Sequence, residues 1–202
     1  MPKVKAKRKS TVIDMTAMSD VTVLLLTFFM LTSTFVQKEP VAVTTPASVS
    51  EIKIPDVNVL QILVDQQGKI FLNLDKQEDK VAVLEAVGKE YGITFTNEEL
   101  KKFKVMTSFG VPIQQMKSFL ALEPDKRDQI LPTKGIPCDS LNNQFKSWVR
   151  NARKQNSELR IAIKADQSTP YPNIKNIMSS LQEIRENRYN LITSLKNQSE
   201  DM

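Results

Sequence analysis

The chain has 202 residues, a formal net charge of +5, one cysteine and no histidine. This composition excludes an intrachain disulfide, a zinc site built from cysteine and histidine, and a histidine-based catalytic triad. Most of the excess positive charge lies in residues 1–19, without the aromatic or glycine-rich motifs of nucleic-acid-binding proteins, so we expect no nucleic-acid partner.

An apolar segment follows the basic tail. No Lys, Arg, Asp or Glu occurs between Asp20 and Lys38, and residues 15–36 would form a helix of roughly 33 Å. That length crosses a hydrocarbon core of about 30 Å, so the sequence predicts a transmembrane helix over residues 15–37. A cleaved signal peptide is the alternative. Against it, only residues 32–34 are weakly compatible with cleavage, and a signal peptide has no use for an acid beside its apolar core.

Basic residues before a membrane span predict the cytoplasmic side of the membrane. We therefore expect residues 1–14 to form a cytoplasmic tail and the remainder, beyond the helix, to lie outside. In a Gram-negative cell this places a linker over residues 38–57 and a domain over residues 58–202 in the periplasm.

Asp20 is the residue most indicative of function, because a carboxylate at the head of a membrane span is costly and marks a functional site by default. At about 100° per residue, Asp20, Thr27 and Thr34 lie within roughly 40° of one another and predict a polar stripe. Such a stripe suits a wall that faces another protein or a narrow wet cavity. Alternatively, threonine is tolerated in membrane helices and its spacing is chance. Asp14 lies about 240° round the helix from Asp20, so the two carboxylates would not pair.

The first elements after the membrane segment have clear local signals. Three prolines among valine, threonine and serine predict an extended linker over residues 38–57. Residues 59–74 predict a β-hairpin, in which Gly68 supplies a positive φ at the turn. Residues 77–91 place apolar side chains on one helical face, and Gly92 ends that helix.

The middle of the chain predicts three short helices. Residues 96–99 form a capping-box pattern, Pro112 starts a second helix, and Ser140 caps a third whose apolar stripe places Trp148 in the core. The basic side chains on the other side of the third helix are Lys146, Arg150, Arg153 and Lys154. They indicate a solvated face in preference to a surface for acidic partners. We interpret Cys138 as a small, partly buried residue, with an intermolecular disulfide as the alternative in an oxidising compartment.

The last part of the chain predicts a β-α-β unit, with strand 159–165, a helix from about 172 to 185, and strand 188–194. With the hairpin and helix before it, this order indicates an α+β two-layer domain over residues 58–202. Asp166 follows a strand and precedes a turn. We interpret it as a turn or helix-capping acid, and a partner contact is the alternative.

The junction between the tail and the apolar segment resembles the ExbD/TolR family. Members of that family share an I-N-x-T-P-x-x-D-V-like approach to one transmembrane helix, and residues 13–21 read I-D-M-T-A-M-S-D-V. The departures are Asp14 where asparagine is usual and Ala17 where proline is usual. The lost proline puts the family's helix-start geometry in doubt but leaves the acid at Asp20 in place.

The resemblance continues beyond the membrane segment. Residues 51–55 are similar to the family's short extended segment, and residues 159–166 to its v-x-I-x-a-D strand. The helix from Tyr171 and the strand from Arg188 look like the family's closing elements. Residues 95–156 do not align with the family, so we interpret them as a lineage-specific helical insertion.

The resemblance implies a role for the chain as an ExbD-like subunit of a proton-driven motor of the inner membrane. Asp20 falls on the family's essential membrane aspartate, which implies that it carries protons. The implied partners are an ExbB-like multi-span subunit that encloses the helix and a TonB-like protein that serves outer-membrane transport. A homodimer is also implied, with its strand at Ile52, Lys53 and Ile54.

Two alternatives stay open. A TolR-like role in envelope maintenance shares the same helix, and one sequence does not separate it from an ExbD-like role. In a passively anchored periplasmic binding module, Asp20 would be only a boundary residue. The sequence contains no catalytic constellation, and an aspartyl protease needs two facing acids where the span offers one. We therefore expect no enzymatic activity, no cofactor and no metal.

Overall fold

The computed structural model describes residues 15–33, 41, 43–48, 57–139 and 142–195. The chain divides into two compact units, Met1–Gln37 and Lys38–Met202. One apolar helix represents the first unit, and the second, which we call the α+β unit, combines helices with a four-stranded sheet. The predicted fold class, an N-terminal apolar helix followed by an α+β domain, is confirmed.

Helix α1 runs from Met15 to Thr32, and the N–H of Ser33 extends its hydrogen bonding by donating to the carbonyl of Phe29 at 2.9 Å. Its 18 residues correspond to roughly 27 Å. None of its side chains is buried, and it is the one helix of the described residues that is long and apolar enough to cross a membrane.

The main sheet consists of β2 (Val59–Val64), β3 (Ile70–Leu74), β4 (Arg160–Ala165) and β5 (Tyr189–Leu191). Their order across the sheet is β3-β2-β4-β5. β2 pairs with β3 antiparallel and with β4 parallel, and β4 pairs with β5 parallel. The predicted hairpin is therefore confirmed, and residues 101 positions apart in the chain become neighbours in β2 and β4.

Local chemistry explains the hairpin turn. Gly68 has a φ of +79°, a region that glycine enters without steric cost. The Asp65 carboxylate Oδ1 accepts hydrogen bonds from the N–H groups of Gln67 (2.8 Å) and Lys69 (2.9 Å). These two bonds fix the turn and the register of the strands that follow from it.

A second, two-stranded sheet joins the two ends of the α+β unit. β1 (Ala47–Ser48) pairs in parallel with β6 (Ser194–Leu195). The predicted strand 188–194 is thus two short strands, β5 and β6, separated by a break at residues 192–193. Part of the segment interpreted as a linker is consequently paired within the α+β unit.

The helices of the α+β unit are α2 (Gln77–Glu90), α3 (Asn97–Val105), α4 (Ile113–Ala121), α5 (Pro124–Ile130), α6 (Gln144–Gln155) and α7 (Tyr171–Glu183), with a 3₁₀ turn at Leu131–Thr133. The capping box at Thr96 and Glu99 is confirmed by both of its hydrogen bonds. Helix α6 does not begin at Ser140, which lies outside the described residues. Its N-cap is Asn143, whose side chain accepts the N–H of Lys146 at 3.1 Å.

One hydrophobic core holds together the main sheet and helices α3 to α6, which we call the middle helices. Phe103, Phe109 and Trp148 form its aromatic centre, with ring centroids 4.7 Å apart for Phe109 and Trp148 and 4.9 Å apart for Phe103 and Phe109. Trp148 is 1% exposed, which confirms its predicted place in the core. Phe109 exchanges both backbone hydrogen bonds with Leu72 of β3. Residues 95–156 are therefore an integral layer of the unit.

Candidate functional site

Asp20 lies in the second turn of α1, with an exposed side chain. It is the only ionisable residue among the 18 of this helix. Most of the other side chains of α1 are apolar, and they are exposed, for example Leu24 (63%) and Phe29 (61%). A helix with apolar side chains on all sides is stable when lipid or another protein surrounds it. Asp20 is then the single charged side chain that the surrounding lipid or protein must accommodate.

The threonine hydroxyls of α1 are hydrogen-bonded within the helix. Thr27 Oγ1 donates to the Leu24 carbonyl at 2.9 Å, Thr22 Oγ1 to Ser19 at 2.9 Å, and Thr32 Oγ1 to Phe28 at 2.8 Å. Each of these three hydroxyl protons therefore has an acceptor within the helix, without help from a partner. Of the two described members of the predicted stripe, Asp20 and Thr27, the Asp20 carboxyl is the one that needs an external partner or water.

Part of the predicted site lies outside the described residues. This holds for Thr34, for Asp14, and for the dimer-strand candidates Ile52, Lys53 and Ile54. The geometry available for the membrane site is consequently that of Asp20 and Thr27, which are seven positions apart and so about 20° apart around the helix.

Asp166 lies at the carboxyl end of β4 and is only 3% exposed. Its Oδ1 accepts the N–H of Ser168 at 2.9 Å, and its Oδ2 accepts the N–H of Thr44 at 2.9 Å. The backbone N–H of Ser168, followed by that of Thr44, holds the pKa of Asp166 below its usual value. The interpretation as a turn acid agrees with this geometry.

Asp166 also has a role that the sequence did not reveal. Besides the contact between its carboxylate and Thr44, the N–H of Gln167 donates to the carbonyl of Thr44 at 2.8 Å. These bonds attach a residue of the predicted linker to the end of β4, 122 positions further along the chain. No local signal in the sequence indicates such a contact, since Thr44 lies in a stretch with no periodicity.

The basic side of α6 is engaged within the chain. Lys146 forms an ion pair with Glu183 of α7, and Arg153 forms a bidentate pair with Glu186 just beyond that helix. Two of the four cations noted in the sequence thus connect α6 to α7. The other two, Arg150 and Lys154, are exposed, so the predicted solvated face describes part of this surface.

Cys138 is half-buried, and its Sγ lies 3.4 Å from Ser180 Oγ. Burial raises the pKa of its thiol, with the Ser180 hydrogen bond acting in the opposite direction. A raised pKa disfavours the reactive thiolate. The interpretation of Cys138 as a partly buried packing residue agrees with this environment.

One of three comparisons with known proteins gives a match. The family model described as biopolymer transport protein ExbD/TolR matches residues 6–196, which includes α1 and the whole described α+β unit. No curated protein matches the chain, and no solved structure does. The match covers the residues of the middle helices as well as the two ends.

Proposed function

The chain belongs to the ExbD/TolR family of biopolymer transport proteins, and on that premise we propose that it is the proton-carrying subunit of an inner-membrane motor. Membership makes it a membrane-anchored subunit of a complex that energises biopolymer transport. The finer assignment, an ExbD-like subunit whose output reaches a TonB-like protein, is our proposal. The observation that carries it is the solitary carboxyl of Asp20 in an otherwise apolar helix.

A single carboxyl can convert proton entry into motion. Moving one elementary charge through the membrane potential releases about 2.3 kcal/mol per 100 mV. When charged, Asp20 prefers a polar or wet partner surface, and when neutral it tolerates an apolar one. Alternation between the two forms biases the helix toward different positions within its partner, because each form stabilises a different arrangement.

The proposed partner of α1 is an ExbB-like multi-span subunit. Side chains on every side of α1 are exposed, and they need either lipid or protein contact.

We propose a topology with residues 1–14 in the cytoplasm, α1 within residues 15–37 in the membrane, and the α+β unit in the periplasm. This orientation rests on the basic tail. We further propose a homodimer of the outer domain through Ile52, Lys53 and Ile54.

The test is replacement of Asp20 by asparagine, which keeps the shape of the side chain and removes its ability to ionise. We expect normal membrane insertion and normal co-purification of a multi-span partner, with loss of energy-dependent uptake across the outer membrane. Thr27→Val is the matched variant on the same face. Because the Thr27 hydroxyl is bonded to its own helix, we expect that variant to keep most of the uptake.

Two outcomes would overturn the proposal. Full uptake in Asp20→Asn would make Asp20 a boundary residue of a passively anchored module. Recovery of no multi-span partner with the full-length wild-type chain would also favour the passive anchor. If Asp20→Asn does not insert, Asp20→Glu serves as the second test variant. It keeps the ionisable group, so we expect it to retain part of the uptake activity.

The family also includes TolR-like proteins, so envelope maintenance is the second candidate. The two roles differ in the phenotype of a strain that lacks the chain. An ExbD-like role predicts lost uptake with an intact envelope. A TolR-like role predicts leakage of periplasmic proteins and sensitivity to detergents, with uptake retained.

A further inference from the structure

A cavity of about 290 Å³ lies in the α+β unit, between the end of α3, helix α4 and helix α5. Its lining comes entirely from residues between Lys102 and Leu131. The cavity is therefore a product of the middle helices, and no residue of α1 or of the main sheet takes part in it. A ligand of this cavity would not depend on the role proposed for Asp20.

The inner wall of the cavity is apolar and ordered by the core. Phe119 and Leu131 line it and are 4% and 6% exposed, and Met106 lies beside them. The carbonyl of Met106 is held by Lys80 Nζ at 2.8 Å, which fixes the chain at the end of α3. An apolar side chain that entered the cavity would gain contact with surfaces that are already in place, at little cost in reorganisation.

The polar groups of the lining favour an anion. Arg127 lines the cavity, and its Nε–H is buried without an acceptor among the described residues. That nitrogen is out of reach of a ligand, but the guanidinium is permanently charged, so the part of Arg127 that lines the cavity would stabilise an anion there. Lys102 adds a second positive charge and Ser108 a hydroxyl, while Asp128 is the acidic member of the lining.

The rim indicates a polypeptide as the occupant. Val105 lines the cavity and is 79% exposed, although it is a large apolar side chain. A ligand that reaches only the inner wall would contact Val105 at most in part, whereas a chain that continues over the rim would also bury its apolar surface. The volume equals that of about ten water molecules, which is enough for one amino-acid residue.

We propose that this cavity binds the C-terminal residue of a partner polypeptide whose last side chain is apolar. The side chain contacts Phe119 and Leu131, and the terminal carboxylate pairs with the guanidinium of Arg127. The preceding residues of the partner lie across Val105. This assigns to the middle helices a binding function beyond the proposed motor.

The proposal is tested on the full-length chain in detergent micelles, with ¹³C-labelled methionine methyl groups observed by NMR. The probe is N-acetyl-glycyl-glycyl-leucine with a free carboxylate. We expect it to shift the Met106 signal saturably and to leave Met178, on α7, unchanged. The same peptide with an amidated C-terminus is expected to bind at least about tenfold more weakly, since it lacks the charge for Arg127.

The variant Arg127→Gln is expected to weaken binding of the free acid about tenfold and to abolish its advantage over the amide. Lys126→Gln is the matched control. It removes the same charge from the adjacent position, but Lys126 pairs with Glu123 at the surface and does not line the cavity. We expect it to bind like the wild type.

Several results would overturn the proposal. These are an unchanged Met106 signal, equal affinity of acid and amide, or equal loss of affinity in both variants. Equal affinity for 4-methylpentanoate, which carries the leucine side chain on a free acid, would identify a small-molecule site instead of a polypeptide site. If Arg127→Gln does not fold, the comparison of acid, amide and small acid on the wild type decides the question alone.

Discussion

Breaking the ion pair between Arg153 and Glu186 is expected to destabilise the α+β unit. Arg153 Nε donates to Glu186 Oε1 at 2.7 Å and Nη2 to Oε2 at 2.6 Å, a bidentate arrangement. The third guanidinium nitrogen, Nη1, donates to the carbonyls of Leu159 (2.6 Å) and Ser157 (2.9 Å). One side chain thus joins α6, the approach to β4 and the chain beyond α7.

The magnitude follows from burial and geometry. Glu186→Gln keeps the shape of the side chain, but it leaves at most one hydrogen bond, from the Arg153 cation to a neutral carbonyl oxygen. Hydrogen bonds that involve charged groups contribute about 1.5–3 kcal/mol each, so the change removes roughly one such bond together with the attraction between the two charges. The side chains are 28% and 15% exposed. Because solvent screens part of the interaction, we expect a loss of about 1–2 kcal/mol, which corresponds to roughly 2–8 °C in Tm for a unit of this size.

The measurement is thermal and denaturant unfolding of the full-length chain, followed by fluorescence of the single tryptophan, Trp148, in the core. Glu123→Gln is the matched control, because it removes a charge from the pair with Lys126, whose side chains are 64% and 77% exposed. That change is expected to cost less than about 0.5 kcal/mol. If the two variants lose the same small amount of stability, the reasoning from bidentate geometry and burial is refuted.

Three further changes test other parts of the α+β unit. Gly110→Ala is expected to cost about 1–3 kcal/mol in denaturant unfolding, since its Cβ would lie 2.1 Å from the Phe71 ring; an unchanged midpoint would contradict this. Asp166→Asn should flatten the acid side of the curve of unfolding free energy against pH. The pKa of Asp166 is lowered by backbone N–H groups, so its contribution is present above the unfolded pKa and lost as pH falls through the folded one. Lys80→Met should flatten the alkaline side. Burial lowers the pKa of Lys80, so the unfolded state binds more protons and stability rises with pH between the folded and unfolded pKa values. For either charged residue, a variant curve parallel to that of the wild type would count against the assigned cause.

Local signals in the sequence predicted the elements that depend on local chemistry. The hairpin with Gly68, the capping box at Thr96, and the β-α-β order at the end all appear. The boundaries of the hairpin and of the last helix shift by at most two residues, whereas the closing strand predicted over residues 188–194 is two short strands, β5 and β6. Each of these depends on contacts within a few positions of the chain. The solitary acid of α1 was also evident, because an apolar helix makes any charge conspicuous.

One local interpretation was wrong for an identifiable reason. The start of α6 was placed at Ser140, but the Asn143 side chain caps the helix instead. Serine and asparagine are both good N-caps, so residue type alone did not decide between two positions three residues apart.

Contacts between distant residues were beyond sequence reasoning. The bond between Thr44 and Asp166 joins positions 122 residues apart, and the cavity beside Arg127 requires three helices whose packing no periodicity specifies. The Arg153–Glu186 pair could not be predicted either, because its two residues lie on different elements. A basic helical face usually indicates solvent exposure, and only the position of Glu186 shows that part of the face connects two elements.

The middle helices have a structural consequence for how this sheet can recruit partners. An edge strand offers free N–H and C=O groups to any other strand. On β3, Leu72 exchanges both backbone hydrogen bonds with Phe109, and the carbonyl of Ile70 accepts the N–H of Ile136. Residues 95–156 therefore occupy the β3 edge. Strand addition by a second polypeptide is blocked at these positions of β3, so a strand that extends the main sheet must add at the β5 edge.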